Sequence, residues 1–403
     1  MAEDSYTQVT SQSWGSRLGG SLKGILVGLV LVAVAVGLLW WNEGRAVKRA
    51  RALEEGAGQV VSIGADRVDP AFEGKLVHLS GQATTDETLT DPQFGLAVQG
   101  LKLRRVVQMY QWREHSQSET REKLGGGTET VTTYSYDRGW EEHPVDSSGF
   151  KKPGGHANPQ SMPYQQWDAV AGRVTLGAYR LSPSLVAQIG GFHPVPLPQG
   201  DAASGGLRIP TGAQRSGDEL YFGTNPGAPE VGDTRVRFEM VSPQEVSIVS
   251  TQRGDSFEPF VASNGNSVEL LESGIQSAAQ MFQAAQERNT LLTWGLRALG
   301  FFLMFAGFRM LFGTLRVLAA VIPALGRLMG GAIGLVAAIL AGAISLVTVA
   351  IAWLVYRPLL GAGLLVAAGA LLFGLKRAKS GAPQRTMRPA ATPPPPPPPA
   401  AHR

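Results

Sequence analysis

The sequence predicts an α+β membrane protein in which four transmembrane helices, one N-terminal and three C-terminal, carry a large β-rich extracytoplasmic domain. Apolar runs occur at 24–41, 294–312, 329–356 and 358–375. Each reaches about 18 residues or more, the length at which a helix rising ~1.5 Å per residue crosses the ~30 Å hydrocarbon core of a bilayer. The segment 42–293 is polar, of domain length, and contains short alternating runs typical of strands.

The first run, 24–41, is predicted to be a retained membrane anchor that follows a cytoplasmic tail, residues 1–23. Its apolar length exceeds the ~7–15 residues of a signal-peptide core, and no small-x-small cleavage pattern follows it. The run ends in Trp40 and Trp41. Tryptophan is enriched at membrane interfaces because its ring has one apolar and one polar edge.

The domain 42–293 is predicted to be mostly β with helical ends. In 101–112 one face is apolar and the other carries cationic and aromatic side chains. The apolar face consists of Leu101, Leu103, Val107 and Met109, and the opposite face of Lys102, Arg104, Val106, Tyr110 and Trp112. Further strands are predicted at 75–83, 129–136, 219–223, 234–240 and 245–252. Two strand-rich sections, near 70–140 and 205–255, leave open whether the domain is one unit or a pair of small β-barrels.

The domain is predicted to end in a helix that enters the membrane at 294–312. Apolar residues recur at helical spacing before this run, at positions 271, 275, 278, 282 and 285. Arg297 and Arg309 stand near its two ends, where long cationic side chains reach the interfaces. The alternative is that Arg309 is an intramembrane charge that acts as a binding or relay group inside the helix bundle. Pro358 separates the last two runs, which predicts a tight helical hairpin.

Charge placement predicts that both tails are cytoplasmic and the domain is extracytoplasmic. The Pro-rich C-terminal tail, 376–403, begins with a cluster of basic residues, and the loop before the third span carries Arg316 and Arg327. Four basic residues after the first span argue the other way, but they begin a long translocated segment, to which the rule applies weakly. These four, Arg45, Lys48, Arg49 and Arg51, are candidate contacts for lipid headgroups, with a solvated charged helix as the alternative.

Two G-x-x-x-G spacings are candidate helix-packing or oligomer contacts, because paired small residues let helix backbones approach closely. Gly326 and Gly330 are predicted to pack within the chain. Gly24 and Gly28 remain open between packing within the chain and self-association.

No catalytic, cofactor-binding or metal-binding residue is predicted, and the chain is not expected to be an enzyme. It has no cysteine and shows no phosphate-binding loop, zinc helix or nucleophile elbow. A net charge of +4 is too small for a nucleic-acid partner. The rival hypothesis is an enzyme that uses His78 or His156 with nearby carboxylates.

Sequence blocks placed around and between the spans resemble the transmembrane protein 43 family, also called LUMA. They include 42–46 after the first span, 101–112, 229–238, 293–298 at the second span and 356–359 at the last turn. The remaining blocks are 73–78, 91–95, 134–136 with Trp140, 155–159 with Met162, and 252–255.

The resemblance implies a multi-pass membrane scaffold that associates with itself, with membrane lipids and with other membrane proteins. It carries over no catalytic residue and no cofactor. Animal members reside in the endoplasmic reticulum and inner nuclear membrane with the large domain luminal. The composition favours a bacterial source. A bacterial member would reside in the inner membrane with the large domain in the periplasm. An envelope enzyme and a transporter or channel component are the alternatives.

Overall fold

The computed structural model describes residues 5–198, 207–319, 323–358 and 363, with the backbone alone at 319 and 323–329. The chain divides into a large unit, residues 1–349, and a small C-terminal unit, 350–403. Five helices are described: α1 (Trp14–Gln59), α2 (Pro183–Gln188), α3 (Ala278–Leu311), α4 (Gly313–Ala319) and α5 (Pro323–Tyr356).

Three of the described helices are long and apolar enough to cross a membrane: α1, α3 and the 330–356 part of α5. They correspond to the first three predicted spans. The predicted fourth span, 358–375, lies outside the described residues apart from 358 and 363.

Both α1 and α3 continue well beyond the membrane. At ~1.5 Å per residue the 46 residues of α1 extend ~69 Å and the 34 residues of α3 extend ~51 Å, against a hydrocarbon core of ~30 Å. Serine caps begin both helices: Ser13 accepts from the Ser16 amide, and Ser277 forms a capping box with Gln280. The predicted helical ends of the domain are therefore continuous with the first two spans.

The β-rich domain contains nineteen strands within the described residues. The first nine are β1 (Ser5–Gln12), β2 (Val61–Ser62), β3 (Leu76–Thr84), β4 (Thr88–Thr90), β5 (Ala97–Gln99), β6 (Lys102–Glu122), β7 (Thr128–Glu141), β8 (Trp167–Val170) and β9 (Thr175–Leu176). The others are β10 (Tyr179–Arg180), β11 (His193–Pro194), β12 (Ala213–Ser216), β13 (Glu219–Phe222), β14 (Thr234–Val241), β15 (Gln244–Arg253), β16 (Ser256–Glu258), β17 (Phe260–Val261), β18 (Ser267–Val268) and β19 (Leu270–Ser273).

Two large sheets form the domain in a nearly closed, barrel-like arrangement. One has the order β1-β7-β6-β14-β13-β12, with β8 joined to β6 and β11 to β14. The other has the order β10-β9-β3-β15-β16, with β2 joined to β3 and β19 to β15. Strands from the two strand-rich sections of the sequence pair with each other, β6 with β14 and β3 with β15. The sections therefore do not fold as two separate barrels.

One apolar core lies between these sheets. It combines Leu103 and Val107 of β6 with Phe238 of β14 and Ile248 of β15, all fully buried. The apolar face predicted for 101–112 is confirmed, because Leu101, Leu103, Val107 and Met109 are all at most 1 % exposed. Lys102 and Val106 of the opposite face are buried as well. The six predicted strands are all present, whereas β1, a mostly polar strand within the predicted tail 1–23, was not predicted.

An ion pair is buried beside this core. Arg105 lies on the apolar side of β6, and both Asp91 carboxylate oxygens accept from its Nη1 at 2.9 Å. Asp91 is also held by the backbone amides of Gln93 and Phe94, at 2.9 and 2.7 Å. Burial lowers the pKa of Arg105, and the adjacent Asp91 carboxylate opposes that shift. This pair links the loop before β5 to the centre of the larger sheet.

We expect Asp91→Ala to destabilise the protein by about 3–5 kcal/mol, because the Arg105 guanidinium is then buried without a counter-charge. The midpoint of thermal unfolding of the full chain in detergent measures the loss. Replacing both partners, Asp91→Ala with Arg105→Met, restores most of the midpoint, since no charge is left buried. The exposed pair Arg253–Glu258 provides the control, and Glu258→Ala leaves the midpoint unchanged. An unchanged midpoint for Asp91→Ala would contradict this role.

Candidate functional site: a clamp where the domain meets the membrane helices

Helices α1 and α3 form one long antiparallel pair. Their contacts run from Gly28 against Gly307, through Leu39 against Gly300, to Gly56 against Phe282. Residue numbers rise along α1 while they fall along α3, and the paired length is ~42 Å at ~1.5 Å per residue. The pair therefore continues from the membrane segment into the domain.

Small residues bring the two helices together in the membrane segment. A Cβ atom built on Gly28 would lie 2.7 Å from the carbonyl oxygen of Gly307. A Cβ on Gly300 would lie 2.6 Å from Leu39, and one on Gly24 only 3.8 Å from the carbonyl oxygen of Met310. Without a side chain at Gly28 and Gly300, the backbones pack at close range, which strengthens dispersion contacts between helices in lipid.

A polar layer follows where the apolar run of α1 ends. Arg45 donates to the side chains of Asn289 at 3.0 Å and Thr293 at 3.0 Å, and Asn42 donates to the Thr293 carbonyl at 3.1 Å. Asn289 in turn donates to the Ala46 carbonyl at 3.0 Å. These side chains bond across the helix interface, so they fix the two helices in one register.

An ion pair with two hydrogen bonds completes this layer. Arg297 donates to both carboxylate oxygens of Glu43, at 2.7 and 2.9 Å. The Glu43 side chain is 1 % exposed and that of Arg297 is 19 % exposed, with the guanidinium also over the Trp294 ring at 4.7 Å. Parallel N–H to carboxylate bonds of this kind are strong and directional. Arg297 therefore bonds to α1 rather than reaching alone to an interface. We call this layer, Asn42, Glu43, Arg45, Asn289, Thr293 and Arg297, the polar clamp.

Beyond the clamp the helix pair packs on the domain. Ala52, Leu53 and Gly56 of α1 join Phe282 and Ala285 of α3 in a buried cluster with Leu76, Val249 and Val268 from the strands. Glu55 accepts from the amide and hydroxyl of Ser263, and Asn264 donates to the Lys48 carbonyl at 2.7 Å. The same two helices thus hold the domain and enter the membrane.

The four predicted headgroup residues do not form one surface. Arg45 points into the polar clamp, and Arg49 donates to the Ser267 carbonyl at 2.6 Å. Lys48 and Arg51 are exposed. Headgroup contact therefore remains a prediction for Lys48 and Arg51, while Arg45 is engaged between the helices.

The other predicted membrane positions are distributed along the helices. Arg309 is exposed, with its guanidinium over the Phe305 ring at 5.7 Å, rather than enclosed by the described helices. A Cβ on Gly330 would lie 3.3 Å from Arg316. Gly326 lies in α5, where only the backbone is described.

The two histidines of the rival enzyme hypothesis lie apart, His78 in β3 and His156 in the loop between β7 and β8. His78 of β3 hydrogen-bonds Ser62 at 3.0 Å and the Gln276 carbonyl at 2.8 Å. His156 is 1 % exposed, bonds the Lys152 carbonyl at 2.8 Å and stacks on Tyr136. Within the described ranges, no group of three His, Asp or Glu side chains is arranged to hold a metal ion.

A second contact joins the domain to the far end of α1. Strands β6 and β7 extend past the sheet as a hairpin. All eight residues of β1, Ser5 to Gln12, pair with β7. At the hairpin tip, Glu122 pairs with Arg17 of α1 at 3.3 Å and Arg316 of α4 at 3.7 Å. Arg17 also donates to the Gly126 carbonyl, and the Trp14 indole donates to the Val317 carbonyl at 3.0 Å. This contact was not predicted, because the hairpin residues are polar and show no apolar alternation.

Comparison with known proteins identifies one family. A family model described as Transmembrane protein 43 matches residues 109–358. The rat protein named transmembrane protein 43 is 36% identical over 355 residues, 85% of this chain and 87% of its own. The human protein is 34% identical over 368 residues, which cover 88% of this chain and 90% of the human protein. The Drosophila melanogaster homolog is 32% identical over 360 residues, which cover 85% of this chain and 91% of the homolog. No solved structure matches the chain.

We expect Glu43→Ala to lower the thermal midpoint of the detergent-solubilised chain by several degrees, because the partly buried Arg297 loses its counter-charge. Arg309→Ala is the control, since this exposed arginine has no role in the clamp. The exchange Glu43→Arg with Arg297→Glu recovers part of the loss. If Glu43→Ala and Arg309→Ala have equal midpoints, the ion pair does not hold the helices.

Gly28→Leu is expected to separate α1 from α3 and lower the same midpoint strongly. The new side chain would overlap the Gly307 backbone. Gly37→Leu is the matched control on the same helix, because a Cβ there has nothing within 4 Å. Equal effects of the two leucines would show that close approach at Gly28 is unimportant.

Proposed function

This chain belongs to the transmembrane protein 43 family, and we propose that it is a self-associating scaffold that holds protein and lipid partners beside its membrane. It is an integral membrane protein, with three described helices apolar enough to cross a bilayer. We further propose that the Arg17 end of α1 and the C-terminal tail are cytoplasmic and that the core of the β-rich domain faces the other side, as the positive-inside pattern of the sequence predicts. Strand β1 of the N-terminal tail runs back from Gln12 along β7 towards the domain.

The observation that carries the proposal is the two-ended attachment of the domain. Helices α1 and α3 enter the domain at its N-terminal and C-terminal ends, and the polar clamp fixes them to each other. A domain tied at one end only would rotate on its linker, whereas two helices in one register hold it at a set height and orientation. A fixed platform of this kind suits a scaffold, because its partners always meet the same face.

Two further features support binding rather than chemistry. On the larger sheet, Arg104 and Arg237 both pair with Glu239. Positive and negative groups are therefore both present there for contact with a charged partner. Beside the clamp, the exposed Lys48 and Arg51 stand just beyond the apolar run of α1, a position from which basic side chains contact anionic headgroups. We propose membrane lipids and other membrane proteins as the partners.

Cross-linking in native membranes tests self-association. We expect an amine-reactive reagent to yield dimers and larger species of the full-length chain. The ratio of these cross-linked species to monomer should stay constant as the expression level is lowered. Glu43→Ala should reduce these species, since the platform loses its fixed orientation, while Arg309→Ala should not. Recovery of monomers alone, with neither protein nor lipid neighbours, would contradict the scaffold proposal.

A further inference from the structure

The hairpin of β6 and β7, together with β1, forms a polar three-stranded arm. We define the arm as Ser5–Gln12 with 113–122 of β6 and 128–137 of β7. Hydroxyl pairs run along one face, with Ser118 bonding Thr132 at 2.8 Å and Thr120 bonding Thr130 at 2.9 Å. Most side chains of 115–121 are exposed, and the other face carries the Arg121–Glu119 pair.

The arm is similar in length to the part of α1 that runs from Arg17 to Glu43. From Trp112 to Glu122 it extends ~33 Å at ~3.3 Å per residue, and from Arg17 to Glu43 α1 extends ~39 Å. The two elements meet at both ends, at the domain and again where Glu122 pairs with Arg17. An arm that starts at the domain and ends at the far end of the first span covers the thickness of the hydrocarbon core.

Lipid cannot surround such an arm. Backbone amides and carbonyls at a sheet edge, and charged side chains such as Glu119 and Arg121, cost several kcal/mol each in hydrocarbon unless they are satisfied. In the described part of the chain no strand pairs with the outer edge of β1, and none pairs with the edge of β6 opposite β7 beyond Met109. The arm therefore needs protein or enclosed water on both edges.

The β1 edge is built to accept another strand. Natural proteins protect an exposed edge with lysine, proline, a bulge or an inward-pointing charge. The sequence of β1, SYTQVTSQ, has no charged residue and no proline, and it pairs with β7 in unbroken register from Ser5↔Ser135 to Gln12↔Thr128. This eight-residue edge is level with the eight residues of β6 from His115 to Glu122, whose edge opposite β7 has no strand partner.

We propose that arms of neighbouring copies pair edge to edge, β1 of one chain against the distal half of β6 of the next. Every copy carries both edges, so the contact is head-to-tail and repeats from copy to copy. Pairing satisfies the free backbone groups and continues the polar rows from Thr10 and Gln8 of one chain to Thr120 and Ser118 of the next. The proposal rests on the self-association proposed above and assigns the surface that mediates it.

The natural absence of cysteine makes a direct test simple. Two differently tagged full-length chains, one with Val9→Cys and the other with Glu119→Cys, are co-expressed and oxidised mildly in native membranes. We expect a disulfide that joins the two tags, and the partners Gln117→Cys and Arg121→Cys scan the neighbouring registers. Thr132→Cys on the central strand is the matched control and should join Val9→Cys several-fold less.

The outcomes separate this proposal from the scaffold proposal. A disulfide between β1 and β6 cysteines above the control level supports arm pairing. Oligomers recovered by the amine-reactive reagent, with no such disulfide at 117, 119 or 121, overturn arm pairing and leave the scaffold standing. Monomers in both experiments overturn the two together. As a second variant, Val9→Lys places a charge on the edge and is expected to lower the oligomer yield several-fold, with an unchanged thermal midpoint showing that the chain still folds.

Discussion

The antiparallel pairing of α1 with α3 is the constraint on which the rest of the structure depends. It joins the two points at which the chain leaves the domain, and it continues without interruption into the membrane segment. Close packing at Gly28 and Gly300 determines how near the helices approach, and burial of Phe282 and Ala285 against the strands determines how the domain sits on them. The height of the hairpin tip relative to the bilayer follows from the same pairing.

Apolar packing alone would leave the register of this pair weakly defined. Helices with leucine, glycine and alanine surfaces can slide by one turn at small cost, since lipid tails are as apolar as the side chains. The polar clamp removes that freedom, because a one-turn slip would separate Arg297 from Glu43 and Arg45 from Asn289. The clamp lies where the apolar run ends, so the polar groups avoid the centre of the hydrocarbon core. Position and register are thus specified by the same few residues.

Much of the fold could be predicted from the sequence. Apolar length determines where helices cross a bilayer, and alternation over 101–112 identified the buried face of β6. Strand partners could not be predicted, since pairing of β6 with β14 depends on chain geometry over more than a hundred residues. The mostly polar strand β1 gave no alternation signal because its side chains are exposed on both faces.

The site was predicted only in part. The blocks at 42–46 and 293–298 carry the family resemblance, but Arg45 was predicted to face headgroups or solvent, Arg297 to reach a membrane interface, and no role was predicted for Glu43. A basic residue that follows an apolar run usually faces water, and nothing in the local sequence shows that Arg45 points towards a second helix. Arg105 was missed as a buried charge for the same reason: its counter-charge, Asp91, lies on a separate strand connection. Partners distant in sequence determine whether an arginine is buried or exposed.

A designed disulfide between the helices tests the central claim most directly. In the cysteine-free chain, Leu39→Cys with Gly300→Cys should form an intrachain disulfide in membranes. After proteolytic cleavage between α1 and α3, the N-terminal fragment should remain attached on a denaturing gel until a reductant is added. The control pair Gly37→Cys with Gly295→Cys, where a Cβ on either residue has nothing within 4 Å, should release it. Release of the fragment from both pairs would contradict an antiparallel helix clamp as the basis of the structure.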